Sequence, residues 1–252
     1  MSTNQPAIEL EYPESDGRPM GETDLHRNWM IRIIDLLQQR YRGQRVYVTG
    51  DLLLYYQEGE PSRYLVPDVF VVFDSEPGLR GTYKLWEEGY KSPNVVIEVT
   101  SRWTRGEDVN HKPKKYAAIG VGEYFLYDPT CDYLVPPLRG FRLTDGEYAP
   151  IEEHMKRGFV SEQLNVRLCL EASRLVMYDL DSEERLTTEV EAAIVACERE
   201  RAAREGEQAA RKREQAARKR EQAARKREQA AREAAESEVQ RLRKLLDERE
   251  NS

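Results

Sequence analysis

The first apolar pattern in the chain predicts a helix. Between Thr23 and Arg40 apolar residues recur at helical spacing and form a single apolar face. These residues are Leu25, Trp29, Ile33, Ile34 and Leu37. Thr23 or Asp24 can cap the start of this helix, and Gly43 follows its end, where helices often stop.

After this helix, short apolar runs separated by glycine and proline predict strands. The runs are rich in Val, Ile, Phe and Tyr, which fit a pleated sheet. The predicted strands are 46–48, 52–56, 68–73, 94–100, 122–128, 133–135, 140–143, 147–151, 165–170 and 174–179. The stretch 74–93 is predicted to be a long connection, and a helical segment is expected to end near Ile119 and Gly120. This order predicts a mixed α/β domain with helices around a central sheet.

The last quarter of the chain has a different pattern. The heptapeptide Glu-Gln-Ala-Ala-Arg-Lys-Arg occurs at 207–213, 214–220 and 221–227. Each copy places a Glu four residues before an Arg, which supports an exposed helix by about 0.3 kcal/mol per pair. The seven-residue period is that of a coiled coil, but paired alanines make a weak seam. A solvated single helix and a homodimer joined through the more apolar end, from Val239 on, both remain open.

These patterns divide the chain into three parts. A loose, proline-containing arm is expected at 1–20, the mixed α/β domain at 21–186, and the charged, Ala-rich helix at 187–252.

The charge distribution limits the functions that the chain can have. The 252 residues include 39 Lys and Arg against 46 Asp and Glu, a formal net charge of -7. The tail from Glu191 on is net basic, with 17 basic and 14 acidic side chains, so the net negative charge belongs to the body. A net acidic body does not by itself indicate nucleic-acid binding, although local patches of basic charge matter more than the net charge. The basic repeats can contact nucleic acid, but charge runs are more often solvated faces.

Cysteine usage and the apolar runs favour a cytoplasmic protein. Cys131, Cys169 and Cys197 are far apart, odd in number and without metal-ligand spacing, so we expect reduced thiols. The polar, acidic N-terminus predicts neither a signal peptide nor a membrane anchor, and no apolar run approaches the length of a membrane span.

Two predicted strands carry a carboxylate among apolar residues. Asp68 follows Pro67 at the start of one strand, and Glu98 lies in the middle of the next. Alternation along that second strand places Glu98 and Thr100 on one face. A buried carboxylate normally has a partner, and two carboxylates on adjacent strands repel each other unless a cation lies between them. Oxygen ligands of this type suit magnesium or manganese.

The residues alone leave other interpretations open. Asp68 after a proline can cap a turn, and Glu98 can pair with a buried arginine. Trp86 and Trp103 lie in predicted loops and can stack on bases, although loop tryptophans more often pack against their own domain.

Proline–aspartate, then a strand containing glutamate, then a lysine is the signature of the PD-(D/E)xK nuclease superfamily. Within it, the chain resembles the bacterial restriction-endonuclease domain family, long catalogued as a domain of unknown function. The matching residues are Gly50, Asp51, Pro67, Asp68, 96–101, Thr104, Asp108, Lys112, Tyr116, Gly120, Val121 and 123–129. The charged C-terminal helix also looks like tails seen in this family.

The resemblance implies a restriction-endonuclease-like core, a mixed central sheet flanked by helices, and a metal-dependent endonuclease that hydrolyses DNA. Asp68 and Glu98 would bind Mg²⁺ or Mn²⁺, with the Val99 carbonyl as a third ligand. The superfamily lysine normally lies two residues after the glutamate, where this chain has Thr100. The matching residue is Lys112, whose ammonium would orient the attacking water or stabilise charge on the phosphate.

Several neighbours of this set are accessory candidates. Pro113 biases Lys112 away from helical dihedrals, which keeps Lys115 as an alternative. Glu22 and His26 can add a metal contact from the first helix, although ordinary surface positions are the simpler interpretation. Asp108 is expected to organise the second helical segment.

The alternative function is a catalytically inactive nuclease-fold protein that binds nucleic acid or protein, with the C-terminal helix as an oligomerisation element. Intact Asp68 and Glu98 favour the enzyme, whereas Thr100 and the acidic body favour the alternative. DNA is the expected partner, with no membrane and no small-molecule cofactor.

Overall fold

A computed structural model of the chain describes residues 11–15, 23–153 and 158–250, so most of the predicted arm lies outside it. The described helices are α1 (Asp24–Arg40), α2 (Arg105–Asn110), α3 (Lys112–Ala118) and α4 (Glu189–Glu250). The described strands are β1 (Val46–Thr49), β2 (Leu54–Tyr55), β3 (Tyr64–Leu65), β4 (Val69–Phe73), β5 (Tyr83–Lys84), β6 (Val95–Val99), β7 (Glu123–Tyr127), β8 (Leu138–Thr144), β9 (Glu147–Pro150), β10 (Phe159–Ser161), β11 (Val166–Glu171) and β12 (Arg174–Asp179).

A mixed six-stranded sheet forms the centre of the body, in the order β1-β4-β6-β7-β8-β9. Only β6 and β7 pair in parallel in this sheet, and its other neighbours are antiparallel. Parallel neighbours need a crossover connection, and α2 and α3 supply it. Two three-stranded sheets, β10-β11-β12 and β3-β2-β5, complete the described strands. The predicted α/β class with a mixed central sheet is confirmed.

The two faces of β6 belong to different apolar clusters, as its alternation predicts. Three alternate residues pack in the cluster that includes α1; they are Val95, Ile97 and Val99. Val96 packs in the other cluster, with Tyr116 of α3. Glu98 shares the Val96 face, so its carboxylate points towards the α2–α3 crossover.

The first helix begins where its cap was predicted. Thr23 is the N-cap, and its hydroxyl accepts the amide of His26 at 3.2 Å. The predicted face is buried at Ile33 and Leu37, whereas Leu25 is exposed.

The predicted strand 133–135 is wrong, because one side chain takes up its backbone amides. The Asp128 carboxylate accepts the amides of Cys131 (3.1 Å), Tyr133 (2.6 Å) and Leu134 (3.0 Å). Amides bonded to a local carboxylate cannot pair with a neighbouring strand. Three short strands went unpredicted: β3, β5 inside the expected connection 74–93, and β10. The predicted strand 52–56 is shorter, at Leu54–Tyr55.

The C-terminal helix α4 is 62 residues long, and its described side chains from 193 to 241 are exposed. The Glu–Arg ion pairs predicted from the four-residue spacing of the repeats form, with Glu214–Arg218 and Glu221–Arg225 both at 2.7 Å. The chain divides into two compact units, 1–191 and 192–252. Among the helices in the described ranges, none combines the length and apolarity needed to cross a bilayer.

Removal of residues 192–252 is expected to leave a folded body. The cut keeps Glu191, whose carboxylate accepts Arg32 (2.9 Å) and the amide of Thr188 (3.0 Å). We expect a cooperative thermal transition within about 4 °C of the full chain, measured by circular dichroism. A second truncation that removes 190–252 also deletes the Glu191 contacts and should melt lower. Loss of the cooperative transition in the longer variant would contradict independent folding of the body.

Candidate functional site

Asp68 and Glu98 meet where the ladder between β4 and β6 ends. The last paired residues are Val69 and Ile97. Beyond them, the Asp68 carboxylate accepts the amide of Val99 at 2.7 Å, and the Glu98 carboxylate accepts the amide of Asp68 at 3.2 Å. These reciprocal bonds from side chain to backbone replace the ladder and hold both carboxylates together on neighbouring strands.

A close backbone approach fixes the segment that carries Asp68. A Cβ added at Gly50 would lie 1.8 Å from the Asp68 carbonyl oxygen, so only glycine fits there. The next residue, Asp51, donates its amide to the Pro67 carbonyl at 2.9 Å. The backbone of Gly50–Asp51 therefore packs against and hydrogen-bonds to the backbone of Pro67–Asp68. This contact explains why a glycine is needed at position 50.

Lys112 contacts Glu98 despite the proline that follows it. Pro113 lies in the first turn of α3, where its missing N–H removes no bond within the helix. The Lys112 Nζ lies 2.9 Å from Glu98 Oε2 and 3.0 Å from Asp108 Oδ1. The other candidate, Lys115, is exposed on the same helix. The structure thus brings Lys112 and Asp108 together with Glu98 and leaves Lys115 at the surface.

Tyrosines tie the crossover to the same cluster. The Tyr116 hydroxyl donates to Glu98 Oε1 at 2.7 Å, and Tyr124 donates to the Asp108 carbonyl at 2.7 Å. Tyr116 and Tyr124 are fully buried, and their rings lie 5.4 Å apart. Tyr116 therefore contacts the carboxylate directly, in addition to packing α3 against the sheet.

The simpler interpretation of His26 as a surface residue is wrong. His26 is 1% exposed, and its Nε2 lies 3.1 Å from Asp68 Oδ2. The sequence carried a signal for this, because His26 precedes Met30 and Ile33 at helical spacing on the buried face of α1. Glu22 lies outside the described residues.

The cluster concentrates negative charge in a buried place. Burial, with the nearby charge of Asp68, raises the pKa of Glu98 to about 7, although Lys112 and Tyr116 oppose the shift. Burial and the charge of Glu98 raise the pKa of Asp108 to about 6. Burial would lower the pKa of Lys112, but Glu98, Asp108 and Asp68 outweigh it and hold that pKa above its usual value. Three carboxylates thus share one lysine, and additional positive charge is favoured there.

The donor chemistry of this cluster fits a hard divalent cation, with access through Asp68. The Asp68 side chain is 12% exposed, and both of its side-chain contacts in the described ranges go to Oδ2, from Val99 and His26. Glu98 is fully buried, and Lys112 already occupies its Oε2. Within the part of the chain that the structure describes, no three His, Cys, Asp or Glu residues form a ready metal cage. Cation binding at Glu98 therefore competes with its pair to Lys112.

A mixed sheet with a helical crossover and an Asp–Glu–Lys cluster at the ends of β4 and β6 places the body in the restriction-endonuclease-like class. The chain belongs to the Uma2 family, described as "Putative restriction endonuclease", whose model matches residues 2–171. The family predicted from the sequence is therefore confirmed.

One solved structure similar to the chain is titled "Crystal structure of a putative nuclease belonging to DUF820 from Anabaena variabilis ATCC 29413". The two share 13% identity, the match covers 66% of this chain and 79% of that chain, and the TM-score is 0.43. No curated protein matches the chain significantly.

The raised pKa of Asp108 predicts a pH-dependent difference between wild type and Asp108→Asn. The folded pKa of about 6 lies above the unfolded value, so this group's contribution to stability is full below pH ~4 and is lost as pH rises through 6. Asparagine does not titrate. The free energy of unfolding of wild type, relative to the variant, should fall by about 2 kcal/mol between pH 4.5 and 7.5. Urea denaturation in EDTA measures it, and a constant difference would contradict the prediction.

Proposed function

We propose that the protein is a metal-dependent endonuclease that hydrolyses DNA phosphodiester bonds with Mg²⁺ or Mn²⁺. The observation that carries this proposal is the position of Lys112, with Nζ 2.9 Å from Glu98 Oε2. Lys112, at the start of α3, would thereby supply the positive charge that Thr100 cannot supply at the usual lysine position. Membership in a family described as restriction endonucleases supports the same reaction class.

Asp68, Glu98 and the Val99 carbonyl would hold the cation. When bound, the ion supplies a Lewis acid for a phosphoryl oxygen and lowers the pKa of a coordinated water. The chain's own contribution is to hold these oxygens in place, through the bonds of Asp68 to the Val99 amide and of Glu98 to the Asp68 amide.

Lys112 contributes positive charge and does not accept a proton. Its raised pKa keeps the ammonium charged through the neutral range while it is paired with Glu98 and Asp108. An ammonium in a water-poor site stabilises charge that develops on a scissile phosphate. Asp108 holds Lys112 from the preceding helix at 3.0 Å and so acts as a positioning residue.

The runner-up is a nuclease-fold protein that binds nucleic acid or protein without cleavage. The observation that favours it is that both carboxylate oxygens of Glu98 already accept hydrogen bonds within the protein, one from Lys112 and one from Tyr116. A permanent pair of this kind would keep a cation away from Glu98.

Plasmid nicking separates the two functions. Purified full-length protein is incubated with supercoiled DNA in Mg²⁺, Mn²⁺ or EDTA, with a structured RNA in parallel. Nicked circles that form only with a divalent ion support the proposal. Intact plasmid in both metals, combined with no binding of either ion by calorimetry, would support the runner-up.

Loss of His26 is expected to weaken the site without unfolding the body. His26 contacts Asp68 Oδ2, and partners that orient a metal ligand typically contribute ten- to a hundredfold, so His26→Ala should lower metal affinity or nicking by about tenfold or more. His26→Gln keeps a donor and should recover part of the loss. The exposed His111→Ala is the matched control and should behave as wild type. Equal metal affinity and nicking in His26→Ala and wild type would contradict a positioning role.

A further inference from the structure

Trp103 is the exposed tryptophan of the chain. Its side chain is 81% exposed, in the segment 101–104 between β6 and α2 and five residues after Glu98. The other two tryptophans lie against aromatic rings, Trp29 at 5.0 Å from Tyr127 and Trp86 at 5.1 Å from Tyr12. Leaving an indole in water forgoes the burial free energy of one of the largest apolar side chains.

The backbone that carries Trp103 is held in place by hydrogen bonds. Ser101 donates its amide to Thr104 Oγ1 at 3.0 Å, and its own Oγ accepts the amides of Trp103 and Thr104, both at 3.3 Å. Arg105 donates its amide to the Ser101 carbonyl at 3.1 Å. The indole is therefore presented from a bonded turn, attached directly to the strand that carries Glu98.

Exposed cations accompany this indole. The Arg102 guanidinium lies 5.5 Å from the Trp103 ring centre, and Arg105 is exposed one turn further on. From 102 to 115 the exposed charged side chains are Arg102, Arg105, Glu107, Lys114 and Lys115. Asp108 is buried and paired with Lys112, so Glu107 is the exposed carboxylate in this range. A body of net negative charge thus carries a locally basic segment, which we call the crossover surface (102–115).

An aromatic ring beside guanidinium groups matches nucleic acid, because a base stacks on the ring while phosphates contact the cations. Bases within a duplex are already stacked on both sides, so a ring that stacks on a base needs an unpaired one. Guanidinium groups bind phosphate oxygens through paired, charge-assisted hydrogen bonds. Single strands and locally opened duplexes offer both partners at once.

We propose that the crossover surface binds single-stranded or locally unpaired nucleic acid, with Trp103 stacked on one base and Arg102 and Arg105 on the adjoining phosphates. The inference rests on the proposed function, since it defines the substrate of the same site as one with an unpaired base close to the bond that is cut. The chain distance of five residues between Trp103 and Glu98 limits how far the stacked base lies from the carboxylates.

Binding is tested without cleavage, in EDTA, with the full-length protein. Fluorescence anisotropy compares a labelled 15-nucleotide single strand with a blunt duplex of the same sequence. Trp103→Ala should weaken single-strand binding about tenfold, as expected for one lost stacking contact, and leave duplex binding within about threefold. Trp103→Phe keeps an aromatic face and should stay close to wild type. Tyr90→Ala, an aromatic residue 70% exposed on another segment, is the matched control and should not change affinity.

Two results would overturn the inference: equal single-strand affinity in wild type and Trp103→Ala, or no single-strand binding by wild type. Plasmid nicking in Mg²⁺ separates its failure from failure of the proposed function. If nicking requires Asp68 but single-strand binding does not depend on Trp103, the nuclease function stands and the stacking surface is contradicted. If binding depends on Trp103 but no nicking occurs, the stacking surface stands and the nuclease function is contradicted.

Discussion

Asp68→Asn is expected to lower metal-dependent plasmid nicking by about a thousandfold, because it removes the charge of the most accessible carboxylate of the site. Asparagine keeps an oxygen that can accept the Val99 amide, which Asp68 holds at 2.7 Å, so the end of the β4–β6 ladder should persist. The measurement is the initial rate of loss of supercoiled plasmid in Mg²⁺ and in Mn²⁺, with metal affinity by calorimetry.

The matched control is Glu58→Gln, which removes an exposed carboxylate from the turn between β2 and β3, outside the crossover surface, and should leave the rate unchanged. A melting temperature of Asp68→Asn close to that of wild type would show that the lower nicking rate comes from a defect in the reaction and not from unfolding. Nicking by Asp68→Asn at the wild-type rate would contradict a metal-binding role for Asp68.

Lys112→Met is expected to show two large effects together. The change leaves Glu98 and Asp108 buried without their cation, which should lower the free energy of unfolding by about 3–5 kcal/mol in EDTA. Nicking should fall strongly for the variant in its folded state, because the site loses its ammonium, while metal binding persists. Urea denaturation and nicking below the melting temperature measure the two effects.

Magnesium distinguishes the electrostatic cause from a packing defect. A divalent ion restores positive charge beside Glu98, so Mg²⁺ should raise the melting temperature of Lys112→Met by more than that of wild type. Lys115→Met, exposed on the same helix, should match wild type within about 0.5 kcal/mol. Equal stability of Lys112→Met and wild type, or normal nicking by the folded variant, would contradict the assignment of the lysine.

Features that depend on neighbours in sequence were predictable. The cap at Thr23, the opposite faces of β6 and the Glu–Arg pairs of α4 all follow from spacing within a few residues. The proximity of Asp68 and Glu98 could also be predicted from the sequence, because carboxylates in two apolar strands need a common partner. Local periodicity thus determined most strands of the central sheet and the two carboxylates that lie in apolar strands.

Other features depend on contacts between distant segments, which no local pattern specifies. His26 lies against Asp68 only because α1 packs on the sheet beside β4, and the lack of a strand at 133–135 depends on the Asp128 carboxylate taking its amides. Lys112 contacts Glu98 because the crossover folds back over β6.

The enclosure of Glu98 follows from the same packing. Its oxygens accept Lys112 and Tyr116 in a fully buried place, whereas alternation predicted only the face of the strand that Glu98 shares with Thr100. The sequence by itself determined which residues carry charge into the apolar strands. The tertiary structure decided how those charges are neutralised, because a buried carboxylate takes the partners that packing brings within hydrogen-bond distance.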